Sequence, residues 1–262
     1  MGFEAGDRNL YRFVSNQPTV ATDPSGLVAV SALVPVVQRL NKPARTFTIP
    51  PEIYRELDKM WADTNATVKP KDKGPGGPRE QGASLIIMKG GELDIRRSPP
   101  GDEDSIEISK FPKPKAGEVA FGTLHTHPND NSAPSAADLT MFVSSHSASI
   151  MYVRSEDHIY VVMRALKNKT LTPLSAEDAA DEIKKLERTG DELLLQVTIT
   201  NIYDKAFRSS RDKKNEMSIA TVAGTQAVAA EYGLVFYRAD RPEKGKPIAT
   251  VAQLLYPKES GK

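Results

Sequence analysis

Two periodicities organise the apolar positions of this chain. Between Pro50 and Thr64, Ile53, Leu57, Met60 and Trp61 recur at i, i+4, i+7 and i+8, one face of an amphipathic helix with Pro50-Pro51 as its first turn. Trp61 is read as core. Ala83–Lys89 is short, apolar and unbroken, as a buried strand would be, and Gly90-Gly91 turns it into a partner over Glu92–Arg96. Val119–His125 predicts another strand and Ser135–Val143 a helix. Ser149–Val153 and His158–Met163, split by the polar Arg154–Asp157, predict a second hairpin. Ala176–Arg188, with Ser175 as cap, and the Ala-rich Ser218–Tyr232, stopped by Gly233, predict further helices. Leu234–Arg238 and Thr250–Leu255 predict closing strands. Glu192–Ile202 carries apolar residues along its whole length and fits a helix or a strand. Strands and helices are interleaved, so the fold class is α/β (α+β): one mixed sheet flanked by helices.

The polar stretches divide the chain. Val68–Gly77 has no apolar residue beyond Val68 and reads as a loop; Ser98–Gly117 is a Pro-rich excursion with room for a short strand at Ile106–Ile108. Residues 1–27 form a segment too small for a core of its own. Residues 28–49 are a linker or a packed strand, 50–170 the main domain, and 171–262 an extension of unknown role packed on it. The apolar run from Gly26 to Val37 is interrupted by Pro35 and falls short of the roughly 20 residues of a spanning helix. Met1 is followed by polar, charged residues, so no signal peptide is read.

Composition narrows the chemistry. The chain has 262 residues, with 35 basic against 34 acidic side chains and a net charge of +1, which gives no support to a nucleic-acid or membrane-surface partner. It has no cysteine, which excludes disulfides, thiol nucleophiles and thiolate metal sites. A transition metal would have to be held by His, Asp, Glu and water.

One stretch supplies such ligands: Gly-Thr-Leu-His125-Thr-His127-Pro, and then Ser135-Ala-Ala-Asp138. Strand residues two apart share a face, so His125 and His127 present their imidazoles together. Pro128 ends the strand, having no amide hydrogen for the ladder. Ser135 is a natural helix N-cap, and Asp138 falls in the first turn, where the intervening loop can fold it back over the strand end. The product is a His, His, Asp set with a fourth position open to water, the arrangement of a catalytic zinc site. Only four histidines exist in the chain, and the other two, His146 and His158, read as ordinary. No Gly-x-Ser-x-Gly elbow, phosphate loop or dinucleotide glycine pattern is present.

His125-Thr-His127-Pro128 with Ser135-x-x-Asp138 after residues 129–134 resembles the JAMM (MPN-type) metallopeptidases. The resemblance implies one Zn2+ per chain on His125, His127 and Asp138, with Ser135 hydrogen-bonding the developing oxyanion. It also implies an upstream glutamate that relays protons. Glu80, just before the first apolar strand, fits that context best; Glu92 and Glu118 are the other candidates. The implied function is hydrolysis of amide or isopeptide bonds in a peptide or ubiquitin-like protein. The rival is a catalytically silent, metal-stabilised binding module, although silent relatives usually lack a ligand and this chain lacks none.

A second resemblance lies at the start. Asn9-Leu-Tyr-Arg-Phe-Val14, Asn16-Gln-Pro18 and Asp23-Pro-Ser-Gly-Leu27 resemble the closing segment of the Rhs (YD-repeat) core. In that family a variable domain, commonly a toxin, follows the segment, and the shell is cut after the leucine, here between Leu27 and Val28. The family's earlier Asp has no counterpart in the sequence, so self-cleavage is not expected. The resemblance implies an Rhs shell upstream, export as part of a larger protein to act in a target cell (otherwise a cytoplasmic protein), and a cognate immunity protein.

Overall fold

Runs of β-branched and aromatic residues too apolar to leave a face in water come together as one sheet sandwiched between helices. In the computed structural model the described residues are 44–66, 78–102, 106, 110–128, 131–145, 149–164, 191–210 and 217–256. The strands are β1 (Thr46–Thr48), β2 (Gly82–Ile87), β3 (Leu93–Arg97), β4 (Val119–Thr126), β5 (Ile150–Arg154), β6 (His158–Arg164), β7 (Leu234–Asp240) and β8 (Val251–Tyr256). The helices are α1 (Pro51–Thr64), α2 (Ala136–Ser144), α3 (Asp191–Ser210) and α4 (Met217–Tyr232). The sheet order is β1-β8-β7-β6-β5-β4-β2-β3, mixed as expected. Every neighbouring pair is antiparallel except β4 and β5. Parallel neighbours need a crossover, and α2 lies within it. The end of β4 therefore runs directly towards the start of α2.

The sheet is covered on both faces. On β6, Ile159, Val161 and Met163 join α1 residues Ile53, Leu57 and Met60 in one core. Tyr160 and Val162 join Leu139 and Phe142 of α2, Ile199 and Tyr203 of α3 and Val228 of α4 in the other. A strand buried on both faces has no polar alternation, which is why these segments read as continuous apolar runs.

One sequence expectation changes, and two open ones are sharpened. Trp61 is only partly buried; the buried stripe of α1 runs Ile53, Leu57, Met60, Thr64. One residue beyond Met60 is a rotation of about 100°, which turns the indole off that stripe. There it lies under the Arg154 guanidinium, 4.8 Å from the ring centroid. The ambiguous Glu192–Ile202 segment is helical. Ile199 is buried while Leu194 and Val197 are 65% and 48% exposed, so apolar residues occupy the outer side of α3 as well and erase the helical period. Finally, β7 and β8, from the 171–262 extension, and β1, from the 28–49 segment, are strands of the same sheet as residues 50–170. The expected helix at Ala176–Arg188, the strand at Ile106–Ile108 apart from Ile106, and the segments 1–27 and Gly26–Val37 lie outside the described residues. Among the described residues no helix is long and apolar enough to cross a membrane.

Candidate metal centre

The C-terminal end of β4 is fixed from three sides. His125 pairs with Gly82 of β2 and Val153 of β5. The ladder continues past the strand: Thr126 N–H donates to Gln81 O at 3.0 Å and His127 N–H to Arg154 O at 2.8 Å. Thr126 turns its hydroxyl to the α1 side, 2.7 Å from Thr64 Oγ1, where it also accepts from Gln81 N–H at 2.9 Å. Alternation then sends His125 and His127 to the opposite face, towards α2. Gly122, three residues before His125, lets β5 come close: a Cβ there would stand 2.2 Å from Ile150 O.

Asp138 arrives from the first turn of α2 through a capping box. Ser135 N–H and the Ser135 hydroxyl both donate to Asp138 Oδ2, each at 2.7 Å, and Ser135 Oγ accepts from Asp138 N–H at 3.2 Å. The box satisfies helix-end donors and locks the carboxylate rotamer in one step.

The three side chains converge. His125 Nε2 lies 3.2 Å from His127 Nε2, 3.3 Å separates His125 Nε2 from Asp138 Oδ1, and 3.2 Å separates His127 Nε2 from Asp138 Oδ2. Among the described residues this is the group of His, Asp and Glu side chains that could hold a metal ion. Its far ends are also arranged. His127 Nδ1 is 2.9 Å from Ser132 Oγ. With Nε2 turned to a metal, Nδ1 must carry the proton and donate it to Ser132, an outer contact that fixes tautomer and ring orientation. His125 Nδ1 is buried without a hydrogen-bond partner among the described residues. Burial alone would raise the Asp138 pKa, but the charge and hydrogen bonds of His125 and His127 outweigh it and hold the carboxyl well below its usual range.

The three glutamate candidates separate cleanly. The Gly82–His125 pairing, continued through Gln81 and Thr126, sets Glu80 opposite His127. Glu80 is 7% exposed. Its backbone is fixed by Glu80 N–H to Asp102 O at 2.8 Å and Gly101 N–H to Glu80 O at 2.9 Å. Glu92 is exposed at the β2–β3 turn, at the other end of β2. Glu118 precedes β4, about 20 Å or more along the strand from His125, and both its oxygens are taken by Arg96 Nη1 and Nη2 at 2.7 Å.

Ser135 is beside the ligands, but its one hydroxyl proton goes to Asp138, so the structure gives it the cap and orienting role. Sequence reasoning missed Ser132, the loop-anchoring Asn131, and the Thr64–Thr126 pair. Asn131 exchanges two hydrogen bonds with Asp157: Nδ2–H to Asp157 Oδ2 at 3.0 Å and Asp157 N–H to Asn131 Oδ1 at 2.7 Å. Asn131 and Ser132 fall in the spacer between His127 and Ser135, and Thr126 meets Thr64 from the end of α1, 62 residues away in sequence, where neither periodicity nor ligand chemistry marks them. His158, read as ordinary, stands away from the centre on β6, 2.9 Å from Asp240; His146 lies outside the described residues. No family model, curated protein or solved structure matches this chain.

Proposed function

We propose that the protein is a hydrolase of amide or isopeptide bonds that works with one zinc ion held by His125, His127 and Asp138. The observation that carries this reading is the convergence of one ligand atom from each of the three side chains. Two zinc bonds of 2.0–2.1 Å opened to the tetrahedral angle put ligand atoms about 3.3–3.4 Å apart. The three side chains approach one another at 3.2, 3.2 and 3.3 Å, the carboxylate through Oδ1 towards His125 and Oδ2 towards His127, and one ligand atom from each lies within 4.8 Å of the others. Three protein ligands leave one tetrahedral position for water, and bound zinc brings the pKa of such a water from about 16 to about 7.

The chain's own residues supply the rest. Glu80, across the ladder from His127, is the group to accept the nucleophile's proton and return it to the leaving amine. Ser135 keeps Asp138 oriented through the capping box; an oxyanion contact would require its hydroxyl to leave Asp138. Burial of His125 and the ladder on both sides of it limit water around the ligands. The resemblances noted above extend the reading: a peptide or ubiquitin-like substrate, and a role as the C-terminal effector of an Rhs-type protein with a cognate immunity protein.

Purified protein should carry about one zinc per chain, lost in Asp138→Ala and in His127→Ala. Glu80→Gln should keep the zinc and lose about 100- to 10,000-fold in hydrolysis, the range of a general acid–base contribution. Full activity in Glu80→Gln would overturn the proton-relay assignment, and zinc-free wild-type protein would overturn the metal. The Ser135 geometry also suits a silent binding module; equal biological potency of Glu80→Gln and wild type would favour that reading.

A further inference from the structure

We infer that Thr221 and Thr225 of α4 are positioning residues of the metal centre, although they lie far downstream of every ligand. The inference rests on the metal-site reading above. Between His127 and Asp138 the chain must pass Ser132, which holds His127, and Ser135, which holds Asp138. Segment 131–135 has no strand partner, so its buried donors and acceptors need other company. Thr221 Oγ1 accepts from Ala133 N–H at 2.9 Å while donating to Ser218 O at 3.1 Å. The Thr225 hydroxyl is shared between Pro134 O at 3.0 Å and Thr221 O at 2.9 Å. Ala133 is 1% exposed and Thr225 fully buried.

A helix packed on a loop needs no hydroxyls for its own sake; alanine or valine would fill the space. Here donor meets acceptor at two successive backbone positions, immediately between the two serines that orient the ligands. The opposite flank is held from β5–β6, where Tyr160 OH donates to Asn131 O at 2.9 Å and Asp157 pairs with the Asn131 side chain. The segment is therefore clamped at both ends, and α4 supplies the clamp nearer Asp138. Close seating of α4 on α3 supports this, since a Cβ at Gly224 would lie 2.7 Å from the Tyr203 ring.

The test replaces each hydroxyl by a methyl in the full chain, as Thr221→Val and Thr225→Val, with Thr221→Ser as the conservative variant. Outer contacts of metal ligands typically change affinity about 10–100-fold; one bond further out, about a tenfold loss of zinc affinity by chelator competition is expected. Amide exchange over residues 131–135 of the metal-free protein should accelerate, and the visible spectrum of the cobalt-loaded protein should shift. Thr221→Ser should restore all three. Thr198→Val, an exposed α3 hydroxyl bonded only within its helix, should change none. Folded valine variants with zinc affinity within about twofold of wild type and unchanged exchange would overturn the inference, as would a serine variant as defective as valine. If Thr221→Val does not fold, Thr225→Val gives the decision. Wild-type protein that binds no zinc would overturn the proposed function instead, and exchange at residues 131–135 would still decide whether the threonines hold the loop.

Discussion

The two ends of β4 carry charged groups of similar kinds and use them differently. At the start of the strand, Glu118 meets Arg96 in a two-point contact, and Arg96 also reaches Asp94 at 2.7 Å. Lys115 N–H adds a third bond to Glu118 at 2.7 Å. Hydrogen bonds from Arg96 first, then the Lys115 amide, hold the Glu118 carboxyl down to about 2. Every strong group there has an opposite partner. At the other end one ligand atom from each of His125, His127 and Asp138 lies within 4.8 Å of the others, and Ser132 and Ser135 brace His127 and Asp138. A closed ion-pair cluster supports a strand; a convergent set of two histidines and a carboxylate could hold a metal ion. Charge content alone would not have told the two apart.

Substitutions at the two ends should break this contrast in a definite order. The largest effect is expected from His125→Ala, which should abolish stoichiometric metal binding measured by elemental analysis, while Glu118→Ala keeps about one metal per chain. Loss of metal in both would mean that the ends are not independent. Next comes Ser132→Ala, which removes the partner of His127 Nδ1. Metal affinity should fall by about 10- to 100-fold, with turnover at saturating metal close to wild type. An unchanged affinity would make Ser132 a bystander. The smallest effect belongs to Glu118→Gln. The folded carboxyl titrates near 2 against an ordinary 4.5, so its stabilising contribution is present above about 4.5 and lost as the pH falls towards 2. Chemical denaturation across that window should show a shallower fall in stability for Glu118→Gln than for wild type. Parallel curves would place the Arg96 contact in the unfolded chain too, or make it energetically idle.

Much of this was legible in the sequence because the informative contacts are local. His125 and His127 share a face by strand period, and Ser135 and Asp138 form a box that its spacing announces. The register that brings Glu80 beside His127 was not legible, since a pairing between residues 80 and 127 leaves no local trace. The Thr64–Thr126 hydroxyl pair and the α4 threonines were invisible for the same reason. Glu192–Ile202 stayed open between helix and strand for another: periodicity reports burial, and α3 keeps Leu194 and Val197 exposed on its outer side. Trp61 shows the converse, an aromatic at nearly the right spacing whose extra 100° takes it to a guanidinium.

The joining of β7 and β8 to β6 has a practical corollary for dissecting the protein. Cutting the chain near residue 170, where the ligand-bearing stretch has already passed, would strip β6 of β7, one of its two neighbours. Ile159, Tyr160, Val161, Val162 and Met163 are each at most 1% exposed, and the strand that carries them would become a bare, apolar sheet margin. Such margins recruit other chains. A minimal fragment built around the ligands should therefore precipitate or self-associate, and useful expression boundaries have to enclose the last strand.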